Sequence, residues 1–242
     1  MIPPRYARQL GIAGFGVEGQ ETLARARVFV LGAGGLGLPA LVYLGAAGVG
    51  SITFIDQDRV EPTNLNRQFL YSESDVGKHK ALVALDRLRA FNPEVAWRAW
   101  HEPLNESLAS REVGEADIVL DCADNDAARR ILARAACRAG KPMLHGAVAG
   151  FEASLALFDA ASGPCYGCLY PETVPGSPPS VLGAVTGMVG AMMASEAIRC
   201  LCRIGPDRRG RLLLADFERG SFDWIRVEKR SDCPICQAST HG

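Results

Sequence analysis

Hydrophobic residues in this chain fall into short unbroken runs separated by segments with apolar positions at helical spacing. Val28-Phe29-Val30-Leu31 and Ile52-Thr53-Phe54-Ile55 are continuous β-rich runs, which predict strands buried on both faces. Between them, Leu36 to Gly48 holds helix formers and small side chains, so strand, glycine turn, helix and strand make a βαβ unit. Glu18 to Ala26, Lys80 to Ala90 and Ala127 to Arg138 predict further helices. Ile118-Val119-Leu120 predicts a strand, and Met143-Leu144 leads into another at Ala153 to Phe158. This alternation predicts an α/β fold, a Rossmann-like and mostly parallel sheet with helices on both faces. Beyond Phe158 come a Pro/Gly/Cys-rich connection, a helix near Leu182 to Arg203, and two strands at Arg211 to Phe217 and Trp224 to Glu228, expected as antiparallel C-terminal additions. The longest uncharged stretch, Thr173 to Ser195, carries Pro175, Pro178 and Pro179 and then several glycines, which fits a buried core helix better than a membrane span. No repeat divides the 242 residues, and residues 1–242 read as one domain.

Composition narrows the function. With 26 Lys and Arg against 27 Asp and Glu, the net charge is -1, which argues against binding nucleic acid or an anionic membrane through a basic face. The opening residues lack the apolar run of a signal peptide, so the expected location is cytoplasmic. In that compartment eight cysteines point to metal binding or reactivity rather than disulfides. Cys165-Tyr166-Gly167-Cys168 and Cys233-Pro234-Ile235-Cys236 are two chelating pairs, as a tetrahedral four-cysteine Zn2+ site requires. The long gap between them makes the site a staple for the C-terminal tail, structural rather than catalytic. Redox activity is the rival reading, but a thioredoxin-type pair stands alone at a helix start. Cys122, Cys137, Cys200 and Cys202 read as small core residues.

Gly32-Ala33-Gly34-Gly35-Leu36-Gly37 has the form G-x-G-x-x-G between a predicted strand and helix, where missing side chains let the backbone approach a phosphate. The glycines alone also suit tight helix-strand packing. Asp56, ending the next strand, adds an acceptor for ribose hydroxyls, so the pair indicates an adenine nucleotide. Arg67, within Asn64 to Gln68, and Lys80 follow that strand. Singly they read as surface charges, but between two nucleotide motifs they favour a triphosphate over a dinucleotide, hence ATP. There is no G-x-x-x-x-G-K-[ST], so a P-loop is excluded. Asp124, after the Ile118 strand, is either an Mg2+ ligand beside the phosphates or, like Asn125, a helix N-cap. His145, beside Gly146 near a strand end, reads as structural.

In order along the chain, Arg5-Tyr6-Ala7-Arg8-Gln9, the glycine turn, Asp56-Gln57-Asp58, Asn64 to Gln68, Val76-Gly77-Lys78-His79-Lys80, Asp121 to Asn125, Pro164 to Cys168 and Cys233 to Cys236 resemble the MoeB/ThiF family of ubiquitin-activating-like adenylyltransferases. The resemblance spans nearly the whole chain. It implies that Gly32, Gly34, Gly35, Gly37, Asp56 and Asp58 bind the nucleotide, that Asn64, Arg67, Gln68 and Lys80 line the phosphates, and that Asp124 works with Mg2+. It further implies a homodimer in which Arg8 is an arginine finger reaching the neighbouring subunit's nucleotide. The implied substrate is the C-terminal Gly-Gly carboxylate of a small ubiquitin-fold sulfur carrier, activated as an acyl-adenylate with release of pyrophosphate. Many members carry a cysteine in the loop before the glycine-rich helix. Here Pro178-Pro179-Ser180-Val181-Leu182-Gly183 has none, which implies a separate sulfur donor. Gly183, Gly187 and Gly190 read as close helix packing at a dimer interface. Other readings are adenylation and dehydration of a modified tRNA nucleoside, a nicotinamide-dependent oxidoreductase, and a non-catalytic zinc-stabilised binding module.

Overall fold

In the computed structural model, which describes residues 2–173 and 179–237, an N-terminal arm with the short helix α1 (Ala7–Leu10) leads into α2 (Gly16–Arg25). The βαβ unit follows as β1 (Arg27–Leu31), α3 (Gly37–Ala47) and β2 (Ser51–Ile55). The chain continues through α4 (Lys80–Phe91), β3 (Ala96–Trp100), α5 (Glu106–Glu115), β4 (Ile118–Asp121), α6 (Asp126–Ala139), β5 (Met143–Ala149) and β6 (Glu152–Phe158). It ends with α7 (Tyr166–Leu169), α8 (Gly183–Cys202), β7 (Arg211–Asp216) and β8 (Ser221–Arg226). One sheet holds all eight strands in the order β3-β2-β1-β4-β5-β6-β7-β8. The strands from β3 to β5 are parallel and β6 to β8 antiparallel. This is the α/β architecture expected from the sequence.

Two cores sit on the two faces of the sheet. Val28, Val30, Ile52 and Phe54 point to the side covered by α3, α4 and α8, and Phe29, Leu31, Ile55 and Val119 to the side covered by α5 and α6. Successive residues of β1 and β2 therefore bury in opposite directions, which is why these runs contain no polar alternation. Helix α8 is long and apolar enough by length and composition to cross a membrane. Within the fold it lies against α3 and β5, burying Val185, Val189, Met193, Ala194 and Ala197, and so is the core helix anticipated from its composition. Pro175 and Pro178, ahead of it, lie outside the described residues.

Three features differ from the sequence reading. Strand β3 and helix α5 had no prediction: Ala96-Trp97-Arg98-Ala99-Trp100 becomes an edge strand because Trp97 fills the space beside Gly45 of α3, while Arg98 stays outside. Helix α5 buries Leu108, Ala109 and Val113, and its buried Glu112 carboxylate lies 3.0 Å from Arg111 and 3.8 Å from Arg98. Strand β8 covers Ser221–Arg226 rather than 224–228, since its register is set by antiparallel pairing with β7, Asp216 opposite Ser221.

Asn92, fully buried beyond the end of α4, joins the N-terminal arm to the body. Its Nδ2 donates to the Gly45 carbonyl at 2.7 Å and to the Tyr6 hydroxyl at 2.9 Å, and its Oδ1 accepts from Glu94 N at 3.2 Å and from Arg5 Nη1. Replacing it strands several buried polar groups, each costing about 1–3 kcal/mol. Asn92→Ala is expected to lower unfolding free energy in urea by roughly 2–4 kcal/mol with unchanged m-value; a loss below about 1 kcal/mol would contradict this role.

Candidate active site

Strand β1 ends at Leu31, and the chain turns through Gly32 with φ +97°, which favours glycine. A Cβ on Gly32 would stand 2.8 Å from the Cys122 carbonyl oxygen, and one on Gly37 would collide with the Gly32 carbonyl. Gly37 thus serves packing and is not among the residues lining the cavity beyond the turn, whereas Gly32, Gly34 and Gly35 line it. In the first turn of α3 Pro39 has no N–H, and the Leu38 and Ala40 amides donate to the Gly34 and Leu36 carbonyls at 3.0 and 3.3 Å, so the backbone left for an anion is the glycine turn ahead of the helix. Asp56 braces it: Oδ2 accepts from Ala33 N at 2.8 Å and Oδ1 from Asp58 N at 2.9 Å. Burial raises the Asp56 carboxyl above its ordinary range, opposed by Lys80 and by those two amides. The Tyr71 hydroxyl, 2.8 Å from the Ala33 carbonyl and 3.3 Å from the Lys80 carbonyl, closes the turn from below.

The cations arrive from the segment after β2. Asn64 is buried, its Oδ1 accepting from Glu61 N at 3.1 Å and its backbone carbonyl from Arg67 N and Gln68 N. It therefore shapes the turn that presents Arg67 and Gln68, and does not itself line the cavity. Arg67 Nη1 donates to the Thr63 carbonyl at 2.7 Å and to Asn66 Oδ1 at 3.1 Å, with no carboxylate partner among the described residues. Gln68 is buried and its Oε1 has no partner, although buried polar atoms nearly always find one. Lys80, first residue of α4 and 6% exposed, places Nζ 3.0 Å from Asp58 Oδ2.

The third strand end supplies Asp121 to Asn125. Asn125, rather than Asp124, caps α6, its side chain accepting from Ala128 N at 2.9 Å. Asp124 is left exposed in the cavity wall without a partner among the described residues, as a group available for a cation must be. Arg129, which the sequence reading missed, lines the same wall. Its position five residues after Asp124, in the first turns of the helix, was the available signal. Cys122 also lines the cavity, but burial, then Asp121, pushes its thiol pKa well up, so it is no ready nucleophile. His145 is buried outside the lining, its Nδ1 donating to Asp121 Oδ2 at 2.7 Å.

The cavity measures about 830 Å³. One end is the glycine turn with Asp56, Asp58, Arg67, Gln68, Lys80 and Asp124. The other runs over β5 to β8, where Ala149, Glu152, Asp216 and Ser221 occupy one cross-strand row. Arg8 is elsewhere: exposed on α1, outside the lining, with no partner among the described residues. Of the α8 glycines, Gly183 and Gly190 permit close packing, since a Cβ on either would collide with the Asn66 or Leu36 carbonyl, whereas Gly187 faces open space.

The four paired cysteines meet. Cys165, Cys168, Cys233 and Cys236 are buried, with all four Sγ atoms within 4.8 Å of one another and close pairs at 3.5, 3.8 and 3.9 Å. Tetrahedral coordination at ~2.3 Å sets sulfurs ~3.8 Å apart, so the quartet fits one zinc ion and leaves no position open for substrate. Soft thiolate donors suit zinc over magnesium or calcium.

Comparison with known proteins agrees with this geometry. The family model described as the ThiF family matches residues 6–235. The chain is 43% identical over 243 aligned positions to a sulfur carrier protein adenylyltransferase of Thermus thermophilus, covering 96% of this chain and 90% of that protein. It is 39% identical to the Bos taurus adenylyltransferase and sulfurtransferase MOCS3, covering 96% of this chain but 52% of that longer protein. Among solved structures, E. coli MccB with ATP superposes with a TM-score of 0.83 at 25% identity, covering 98% of this chain and 74% of MccB. MccB with MccA-N7isoASN gives 0.84 at 25% identity, covering 97% and 75%. With a family model spanning nearly its whole length and a relative of this identity and coverage, the chain belongs to the ThiF family and is an adenylyltransferase.

Proposed function

We propose that this chain uses ATP to adenylylate the C-terminal carboxylate of a small ubiquitin-fold sulfur carrier ending in Gly-Gly. The observation that carries the reading is the convergence of Gly34, Gly35, Asp56, Arg67, Gln68, Lys80 and Asp124 on one cavity that continues across an open sheet face, with room for a nucleotide and an extended tail. The name of the Thermus thermophilus relative supports the substrate, and MccB solved with ATP supports the nucleotide. The chain spans about half the length of the MOCS3 relative, and its shared part carries the adenylyl transfer in this reading.

The reaction needs no general base, because a terminal carboxylate with a pKa near ~3.5 is ionised at neutral pH. One carboxylate oxygen attacks the α-phosphorus, the bond to the bridging oxygen of the leaving pyrophosphate breaks, and negative charge accumulates on that leaving group. The turn amides and Gln68 orient the phosphates, Asp56 accepts from the ribose hydroxyls, and Arg67 and Lys80 stabilise the growing charge, so positioning and electrostatics supply the rate. Around the turn, Arg67, Lys80 and Arg129 are balanced by Asp56, Asp58 and Asp124, so a triphosphate and a carboxylate would meet with no surplus of positive charge. Asp124 would hold Mg2+, which would supply part of the neutralisation. Arg8 from a second copy of the chain supplies the rest, and this makes the homodimer part of the site. Sulfur comes from a separate donor, since Ser180 stands where a loop thiol would be and Cys122 is held as a thiol.

The cysteine quartet holds zinc that staples residues 233–236 to the body; its chemistry is that of a closed structural site. Purified protein is expected to contain about one zinc per chain, and Cys236→Ser to lose it and melt at lower temperature; equal zinc in both would remove the quartet as the site.

ATP-pyrophosphate exchange with carriers ending in Gly-Gly tests the main reading. Exchange is expected with the cognate carrier, and Arg67→Ala or Lys80→Ala should reduce it on the order of 100-fold or more. No exchange with any such carrier would sink the proposal. Mixing Arg8→Ala with Lys80→Ala protein should restore about a quarter of wild-type exchange if Arg8 acts across a two-fold dimer, and none if it acts within its own chain.

A further inference from the structure

Arg129 is the one cation in the phosphate end of the cavity wall to which the proposed chemistry gives no task. Its side chain is 19% exposed, its Nη2 donates to the Ala123 carbonyl, and its Nε is buried without a hydrogen bond, 3.5 Å from Asp121 Oδ2. Asp121 is fully buried. Its Oδ1 accepts from Ala123 N at 3.1 Å and its Oδ2 from His145 Nδ1 at 2.7 Å. The His145 ring is boxed by Tyr166 and Tyr170, with centroids at 5.2 and 5.5 Å, and by Phe158 at 6.4 Å. Both backbone groups of Ala123 are therefore tied, the N–H to Asp121 and the carbonyl to Arg129. Two residues later Asn125 is pinned as the cap of α6. Between these fixed points stands Asp124, its own carboxylate without a partner among the described residues.

A buried ion pair contributes little net stability, so the arrangement is better explained by the geometry that it enforces. The guanidinium fork can hold a carbonyl and a carboxylate in one plane, which a lysine ammonium cannot do. We propose that Arg129 is a positioning residue: acting through Ala123 and the Asp121–His145 pair, it fixes the Asp124 carboxylate where Mg2+-ATP needs it, without touching the nucleotide. This rests on reading the cavity as the ATP site.

The test is ATP affinity of the full chain by calorimetry, with Mg2+ and with EDTA, and needs no carrier. In the wild type Mg2+ should tighten ATP binding on the order of tenfold, about 1.4 kcal/mol. Asp124→Asn and Arg129→Lys should each lose most of that gain, with Arg129→Lys changing the EDTA value by less than about twofold, and the Mg2+ gain of the double variant should be no smaller than that of Asp124→Asn alone. A merely structural role would weaken ATP binding with and without Mg2+ alike. That result, additive losses in the double variant, or an unaffected Mg2+ gain in Arg129→Lys would each overturn the inference. His145→Gln, which loosens the clamp from the far side of Asp121, should reproduce the Mg2+-specific loss, and it decides the matter if Arg129→Lys does not fold. Wild-type protein that binds no ATP would sink the reading of the cavity itself; wild type and Arg129→Lys binding Mg2+-ATP equally would sink this inference alone.

Discussion

Parallel pairing that sets Leu31 opposite both Ile55 and Asp121 is the constraint from which the candidate site follows. Because the three strands end level, the residues just beyond them, Gly32, Asp56 and Cys122, emerge side by side at the carboxyl edge of the sheet. The strand order reverses at β1, with β2 on one side and β4 on the other, and ligands of open α/β sheets sit at such a switch point. The packing at Gly32 expresses the same constraint, since its backbone lies too close to the Cys122 carbonyl for any side chain between them.

Electrostatics then sets what the crevice can do. A binding site for a triphosphate would be expected to carry excess positive charge, yet the cations around the glycine turn are matched by carboxylates, and Lys80 is already paired with Asp58. Such a wall carries equal numbers of the two charges before any ligand arrives. It becomes productive in the proposed reaction only when a divalent ion and a further arginine are added, so that metal and a second subunit would act as conditions for turnover. Arg129 contributes its charge to the loop rather than to the anion in this account, and the Asp121–His145 pair behind it explains why a buried histidine lies so near a site that needs no base.

The C-terminal tail has little apolar content of its own to hold it, and Cys233, Ile235 and Cys236 are buried against α7. Ile235 fills the space left by the missing side chain of Gly167, so ordinary packing accompanies the cysteine cluster at this end of the chain. The Tyr166 hydroxyl donates to Asp126 Oδ1 at 3.0 Å, which links this corner to the first turn of α6, two residues beyond Asp124.

Local chemistry in the sequence was sufficient for the βαβ unit, the glycine turn, Asp56 and the two cysteine pairs, because each rests on residues near one another in the chain. Short apolar runs rich in β-branched and aromatic residues and bounded by glycine or a charged residue favour buried strands, and two Cys-x-x-Cys pairs favour one metal site over a redox pair. Strand β3, helix α5 and the clamp on Asp124 were not legible, because their residue types are ordinary and their meaning comes from distant neighbours: Trp97 from Gly45, Arg98 from Glu112, Asp121 from His145. Even within the recognised motifs, only the tertiary structure separated Gly34 and Gly35, which face the cavity, from Gly37, which serves packing, and gave the capping role to Asn125 while leaving Asp124 free. Spacing determines which side chains share a turn or a strand; which face one another across the sheet is decided by register and packing.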